Sequence, residues 1–179
     1  MSRALVYSIE RKRLEFQIRY IANHDQLTGL ANRSLFRERL QLAIIRYERN
    51  DEIITVLYLD LDHFKAVNDG VGHEIGGQLL FSVAERLSEA VRKSDTVGRL
   101  GGDEFAIVLD SIKINRCAAV VANKIIIALA DPFELSGHTI YTESSIGIVV
   151  YSHSGDNVED LLKNSDSAMY SAKKSGRGQ

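Results

Sequence analysis

The stretch Ile53 to Leu59, Ile-Ile-Thr-Val-Leu-Tyr-Leu, constrains the fold more than any other. Apolar side chains stand at both odd and even positions, so neither face of a strand built from it can meet water. Such a strand sits in the middle of a sheet with helices on both sides. It runs directly into Asp60-Leu61-Asp62, so a buried strand ends in two carboxylates.

The remainder of the chain supplies the cover. Phe36, Leu40, Ala43, Ile44 and Tyr47 recur at helical spacing and are closed off by Asn50 and Asp51. Leu80, Val83, Ala84, Leu87 and Val91 make a second stripe, ending at Arg92, Lys93 and Ser94, and Cys117, Val121, Ile125 and Ala128 a third, stopped by Asp131 and Pro132. Cys117 is thereby expected as a small buried hydrophobe. A fourth helix is expected from Val158 to Lys174, capped by Asp156 or Asn157. Between them lie strand-like runs at Thr96 to Leu100, Glu104 to Leu109, Phe133 to Leu135, Thr139 to Thr142 and Ser145 to Val150. Gly101 and Gly102 are expected to turn the first pair into a hairpin, and Ser136, Gly137 and His138 the next. Helices at some joints and hairpins at others give a layered α/β (α+β) domain whose sheet is not purely parallel.

Residues 1–23 read as a separate connector. Charges occur at almost every turn, while Tyr7, Leu14 and Ile21 recur every seven residues with Ile18 beside them, the pattern of a solvated helix with a narrow apolar seam. Residues 24–179 then form the one domain of the 179-residue chain.

Composition removes several function classes. Twenty-two Lys and Arg against 24 Asp and Glu leave a formal charge of −2, so no broad basic field exists to hold a nucleic acid polymer. One cysteine excludes an internal disulfide and, without zinc-spaced ligands, a zinc finger. The apolar runs fall well short of the roughly 18 residues of a membrane span, and the N-terminus lacks a signal-peptide layout. A cytoplasmic chain without direct membrane contact is the expectation.

Chemistry concentrates at two places. Asp60 and Asp62, two apart on a strand, project from one face, and Gly101-Gly102 bring Asp103 and Glu104 to a turn. Acids can end a strand merely by facing water, but a second pair at a diglycine turn is not explained by burial. Oxygen ligands of this kind suit Mg²⁺, and two clusters on neighbouring strands can hold two ions. Phe64 to His73 adds Lys65, Asn68 and accessible glycine backbone within reach of the acids, a layout for phosphates where a strand enters a helix. A solvated surface loop is the plain alternative. Together these features suggest phosphoryl or nucleotidyl transfer, in which positioning and charge stabilisation do most of the catalysis.

Arg99-Leu100-Gly101-Gly102-Asp103-Glu104-Phe105 resembles the signature of the GGDEF family, the diguanylate cyclases that make cyclic di-GMP from two GTP. Asp25-Gln26-Leu27-Thr28-Gly29-Leu30-Ala31-Asn32-Arg33, Asp60 to Asp69, Ser145 to Ile148 and Ala168 to Arg177 resemble four further motifs of that family, in order and over about residues 22–178. The resemblance implies a central, mainly antiparallel sheet wrapped by helices, like the palm of nucleotide polymerases and nucleotidyl cyclases. It implies Mg²⁺, or Mn²⁺ in its place, at two ions per GTP, held by Asp60, the Leu61 carbonyl, Asp103 and Glu104. Asp103 or Glu104 would be the base. Lys65 would stabilise triphosphate charge with the backbone of His63, Phe64 and Gly102, Lys173 and Arg177 would reach the terminal phosphate, and Asn68 and His73 would line the guanosine. It further implies two GTP-loaded copies meeting as a two-fold homodimer, transiently or through the N-terminal helix. Arg92 and Asp95 match the family's Arg-x-x-Asp site, where cyclic di-GMP inhibits as product.

One position departs. Where the family has Gly-His-x-x-Gly-Asp, this chain has Gly72-His73-Glu74-Ile75-Gly76-Gly77, so the guanine-reading aspartate is Gly77. Losing that acceptor costs on the order of 1–3 kcal/mol of base recognition. Two alternatives to a guanine-specific cyclase follow: a base-relaxed enzyme that also accepts ATP, and a non-catalytic module binding GTP or cyclic di-GMP. The ends at Met1 and Gln179 read as those of a piece of a longer protein, with a sensor before it and, in some relatives, an EAL-type phosphodiesterase after it.

Overall fold

The computed structural model describes residues 3–50, 53–112, 116–151, 157–176 and 178, with side chains for 7–47, 53–110, 118–151, 157–176 and 178. Arg177, Asp156 as a helix cap and the Cys117 side chain lie outside the described residues. The elements run α1 (Arg3–Asn23), α2 (Arg33–Asn50), β1 (Ile53–Asp62), α3 (Phe64–Val71), α4 (His73–Ala90), β2 (Thr96–Gly101), β3 (Glu104–Ile112), α5 (Arg116–Ala130), β4 (Phe133–Leu135), β5 (His138–Ile140), β6 (Glu143–Tyr151) and α6 (Val158–Ser175).

The two-faced strand is central. Sheet order is β2-β3-β1-β6 with every pairing antiparallel, while β4 and β5 form a separate hairpin. Leu57, Leu59 and Leu61 on one face of β1 pack with Leu79, Val83 and Leu87 of α4 and Ile125 and Leu129 of α5. Ile54, Val56 and Tyr58 on the other face pack with Phe36, Leu40 and Ile44 of α2 and Leu161 and Met169 of α6. Each such side chain fully removed from water contributes roughly 1.5–3 kcal/mol, which holds a helical layer on both faces.

Two joints fix α6. Asn157 accepts from the Asp160 amide at 3.0 Å and Asp160 accepts from the Asn157 amide, a reciprocal capping box that starts the helix. At Gly147 of β6, a Cβ atom would lie within 2.3 Å of the Ser165 carbonyl oxygen and the Met169 nitrogen, so backbone packs directly on backbone there.

Local details differ from the sequence expectations. The buried stripe of α5 is Ala118, Ala122, Ile125 and Leu129, one residue on from the expected one at three of four places, because small residues on both sides blur the periodicity. Gly101 pairs with Glu104, so the hairpin connection is Gly102-Asp103 and not the two glycines. His138 pairs with Leu135, which leaves Ser136-Gly137 as the second turn and ends β5 at Ile140. Tyr7, Leu14, Ile18 and Ile21 on α1 are all more than half exposed.

Candidate active site at the β1 and β3 ends

Register builds the site. Asp60 of β1 lies opposite Glu104 of β3, and the Leu61 amide donates to the Asp103 carbonyl at 3.3 Å. Asp60, Leu61, Asp103 and Glu104, from two distant stretches of chain, therefore meet at one end of the sheet. The intervening turn needs Gly102, whose φ of 51° is left-handed and favours a residue without Cβ.

The charges at this edge are arranged around Asp60. Burial pushes its carboxyl above the ordinary carboxylate range; the Lys173 ammonium opposes that shift, and the nearby Asp103 and Asp62 add to it. Lys173 Nζ lies 2.5 Å from Asp60 Oδ1, so α6 delivers a cation to the end of β1. Tyr58, two residues before Asp60 on the same face, donates its hydroxyl to Glu104 Oε2 at 3.1 Å. Burial and that carboxylate push the Tyr58 phenol up, which keeps it a donor. Arg33 adds its guanidinium 3.8 Å from Glu104.

Asp62 is different from its neighbour. Only 3% exposed, it accepts from the Ser145 hydroxyl at 2.9 and 3.1 Å and from the Gly178 amide at 3.4 Å. This acid clamps β1 to β6 and the chain that follows α6, so the second member of the expected strand-end pair is committed to structure. Among the described residues no three His, Cys, Asp or Glu side chains converge as a ready cation cage. The donor set nonetheless fits a hard divalent ion: it is oxygen only, and Asp60 already holds a cation in the form of Lys173.

The segment after β1 lies beside this edge. His63, left-handed with φ of 62°, starts α3, and its carbonyl accepts from Ala66 and Val67. Phe64 and Lys65 occupy the first turn, where helix amides lack partners within the helix, and the Lys65 side chain is exposed. Asn68 Oδ1 rests over Gly76, where a Cβ would stand 1.9 Å from it, so the amide lies this close to α4 only because residue 76 has no side chain. His73 and Gly77 line a groove of about 640 Å³ with Leu27, Gln78, Phe81 and Leu135. A Cβ at Gly77 would meet only Leu27 Cδ1, at 3.9 Å.

Arg92 and Asp95 lie elsewhere. They border a groove of about 250 Å³ with Val121 and Lys124. Asp95 accepts from the Arg92 amide at 2.9 Å and the Asp110 amide at 3.3 Å. The strand β2 separates this turn from Gly102 by six residues, roughly 20 Å at strand rise.

The family model for the diguanylate cyclase GGDEF domain matches residues 22–179. The chain belongs to the GGDEF family. Among relatives of this GGDEF domain, the protein MucR of Pseudomonas aeruginosa, named a bifunctional diguanylate cyclase/cyclic di-GMP phosphodiesterase, is 41% identical over 98% of this chain and 26% of its own length. The diguanylate cyclase TpbB of the same species is 41% identical over 88% of this chain and 36% of its own. The chain thus spans about a quarter to about a third of these curated relatives. Among solved structures, the isolated TpbB GGDEF domain superposes with a TM-score of 0.84 at 41% identity, covering 87% of this chain and 91% of that one. The coiled coil and GGDEF domain of DgcB from Caulobacter crescentus, in complex with c-di-GMP, superposes with a TM-score of 0.89 at 26% identity, covering 98% and 94%.

Within the GGDEF domain, the structure brings together Asp60, Leu61, Asp103, Glu104 and Lys173, sets His63, Phe64, Lys65 and Asn68 in the adjoining α3 segment and places His73 and Gly77 on the neighbouring groove. It separates Arg92 and Asp95 from all of these. Sequence reading assigned nothing to Tyr58 or Arg33, and it read Asp62 with Asp60 as an oxygen ligand for Mg²⁺, whereas Asp62 is buried on Ser145 and Gly178. Tyr58 carried a signal, since it shares the two-residue period of Asp60; Arg33 carried none, because its approach to Glu104 is purely tertiary. Among the described residues no helix is long and apolar enough to cross a membrane.

Proposed function

We propose that this GGDEF domain is a diguanylate cyclase that condenses two GTP into cyclic di-GMP and two pyrophosphates. The observation that carries the reading is the β1–β3 register, which sets Asp60 against Glu104 and ties Leu61 to Asp103 beside the Lys173 ammonium. Asp60, the Leu61 carbonyl, Asp103 and Glu104 would hold Mg²⁺, two ions per GTP. Bound magnesium supplies neutralisation of triphosphate charge and a lowered pKa for a sugar hydroxyl. Lys65 and the amides at the start of α3 take phosphate charge, and Lys173, released from Asp60, follows the terminal phosphate together with Arg177.

The 3′-hydroxyl of each GTP loses its proton to Asp103 or Glu104 and attacks the α-phosphorus of the other. A P–O bond to the sugar forms, the bond to the β-phosphate breaks, and pyrophosphate leaves. One site cannot close a symmetric ring, so two loaded copies meet across a two-fold axis. The exposed seam of α1 is the element that would hold two copies together. The Arg92–Asp95 turn, far from the reacting edge, is the place where product would bind and inhibit.

Purified protein with GTP and Mg²⁺ is expected to release pyrophosphate and a cyclic dinucleotide, and Asp103→Ala to abolish both while leaving the fold intact by circular dichroism. The open space at Gly77 favours a second reading, in which base selection is relaxed. Equimolar GTP and ATP would then yield mixed cyclic dinucleotide. Gly77→Asp, whose Cβ would meet only Leu27 Cδ1 at ordinary contact distance, is expected to lower the KM for GTP on the order of tenfold and to suppress the mixed product. Two relatives named cyclic di-GMP phosphodiesterases, NbdA of P. aeruginosa and PdeR of Escherichia coli, are each 36% identical to the chain. GTP binding without pyrophosphate release would identify a non-catalytic regulatory module instead.

A further inference from the structure

Asp103 is held through its two flanking peptide groups, and only one of them is secured by the sheet. Its carbonyl accepts from Leu61 of β1. On the other side, the peptide joining Gly102 to Asp103 lies in the turn, and residue 102 has no side chain with which to anchor itself. Arg99 supplies that anchor. Its Nε and one terminal nitrogen donate to the Gly102 carbonyl at 3.0 and 2.7 Å. Because a peptide group is planar, fixing the Gly102 carbonyl fixes the plane that carries the Asp103 nitrogen and Cα.

The guanidinium is itself held from behind. Its remaining nitrogen donates to both carboxylate oxygens of Asp25 at 3.0 and 3.2 Å, and the Arg99 side chain is only 13% exposed. Asp25 accepts in addition from the Thr28 amide at 2.9 Å and the Thr28 hydroxyl at 2.7 Å, so it has little freedom to follow a wandering arginine. The backbone repeats the link: the Arg99 amide donates to Ala31 and the Ala31 amide to Val97, stitching the 24–32 turn to β2. A planar five-donor fork can serve a carbonyl and a carboxylate at once; an ammonium cannot reproduce that geometry.

We infer that Arg99, braced by Asp25, is a positioning residue that sets the orientation of Asp103 by gripping the Gly102 carbonyl. This rests on the reading of Asp103 as a metal-holding residue. Partners that orient a ligand in this way commonly change metal affinity 10–100-fold when altered.

The test uses the full chain. Mn²⁺ binding without nucleotide is followed by electron paramagnetic resonance, hydrogen exchange is measured over residues 99–106, and kcat and KM for GTP are determined for wild type, Arg99→Lys and Asp25→Asn. Arg99→Lys is expected to weaken Mn²⁺ binding about tenfold, to speed exchange at Gly102 and Asp103, and to lower kcat with KM for GTP unchanged within about a factor of two. Asp25→Asn, which keeps the side chain's shape and leaves Arg99 in place, is expected to act in the same direction, and it carries the test if Arg99→Lys does not fold. A variant that melts earlier yet binds Mn²⁺ and exchanges at the turn like wild type would overturn the inference, since the contact would then be structural only. A wild-type chain that makes no cyclic product counts against the cyclase reading alone, and one that takes up no Mn²⁺ leaves turn exchange to decide.

Discussion

Asp25 illustrates how one side chain can serve stability and site together. Burial alone would raise its pKa, but the hydroxyl and amide of Thr28 and the Arg99 guanidinium outweigh that and hold the carboxyl below its ordinary range. A depressed folded value means the ionised form stabilises the native state above the unfolded pKa, and that stabilisation is lost as pH falls through the folded one. Asp25→Asn is therefore expected to cost on the order of 1–2 kcal/mol at pH 7, with the difference from wild type shrinking below about pH 4. Urea melts at pH 7 and pH 3 check this; an equal deficit at both would remove charge from the explanation. The acids at 60, 103 and 104 and the basic residues were legible as residue types in the sequence. Their partners were not: Tyr58 on Glu104, Ser145 on Asp62 and Lys173 on Asp60 are contacts between residues 46, 83 and 113 positions apart, respectively, and nothing local encodes them.

At the scale of elements, α6 deserves comparison with α1. The former is pressed onto β6 at Gly147 and started by the Asn157–Asp160 capping box, and it carries Lys173 to Asp60. Any side chain at 147 forces the helix away from the sheet. Gly147→Ala is expected to cost about 1–3 kcal/mol or more, read as a lower denaturation midpoint. Because the shift moves Lys173, loss of activity should exceed that of Asn157→Ala, which frays the helix start for about 1 kcal/mol without touching the sheet contact. Strands and helices were largely legible because periodicity and breakers mark them. Turn residues and the phase of α5 were not. A two-residue turn is defined by cross-strand register, and an alanine-rich helix offers more than one apolar face.

At the scale of the whole molecule, α1 stands apart from the two packed layers. Its seven-residue repeat of Tyr7, Leu14 and Ile21, with Ile18, is exposed, and a second copy would bury it. Leu14→Glu is expected to weaken self-association at least tenfold, since each buried leucine contributes roughly 1.5–3 kcal/mol, with the melting temperature of the domain unchanged. Sedimentation velocity across a concentration series measures this, and an unaltered profile would assign the seam no part in pairing. The sequence by itself determined the layered architecture, because a strand apolar on both faces has one stable place, between helices. It also determined the family, because five motifs in order leave little freedom. Only the tertiary structure decided which acid stands beside Lys173 at the β1–β3 edge and which is buried, where the turn falls, and what holds the Gly102 carbonyl. Those outcomes depend on strand register and on side chains meeting across the sheet, and distance in space is not written in distance along the chain.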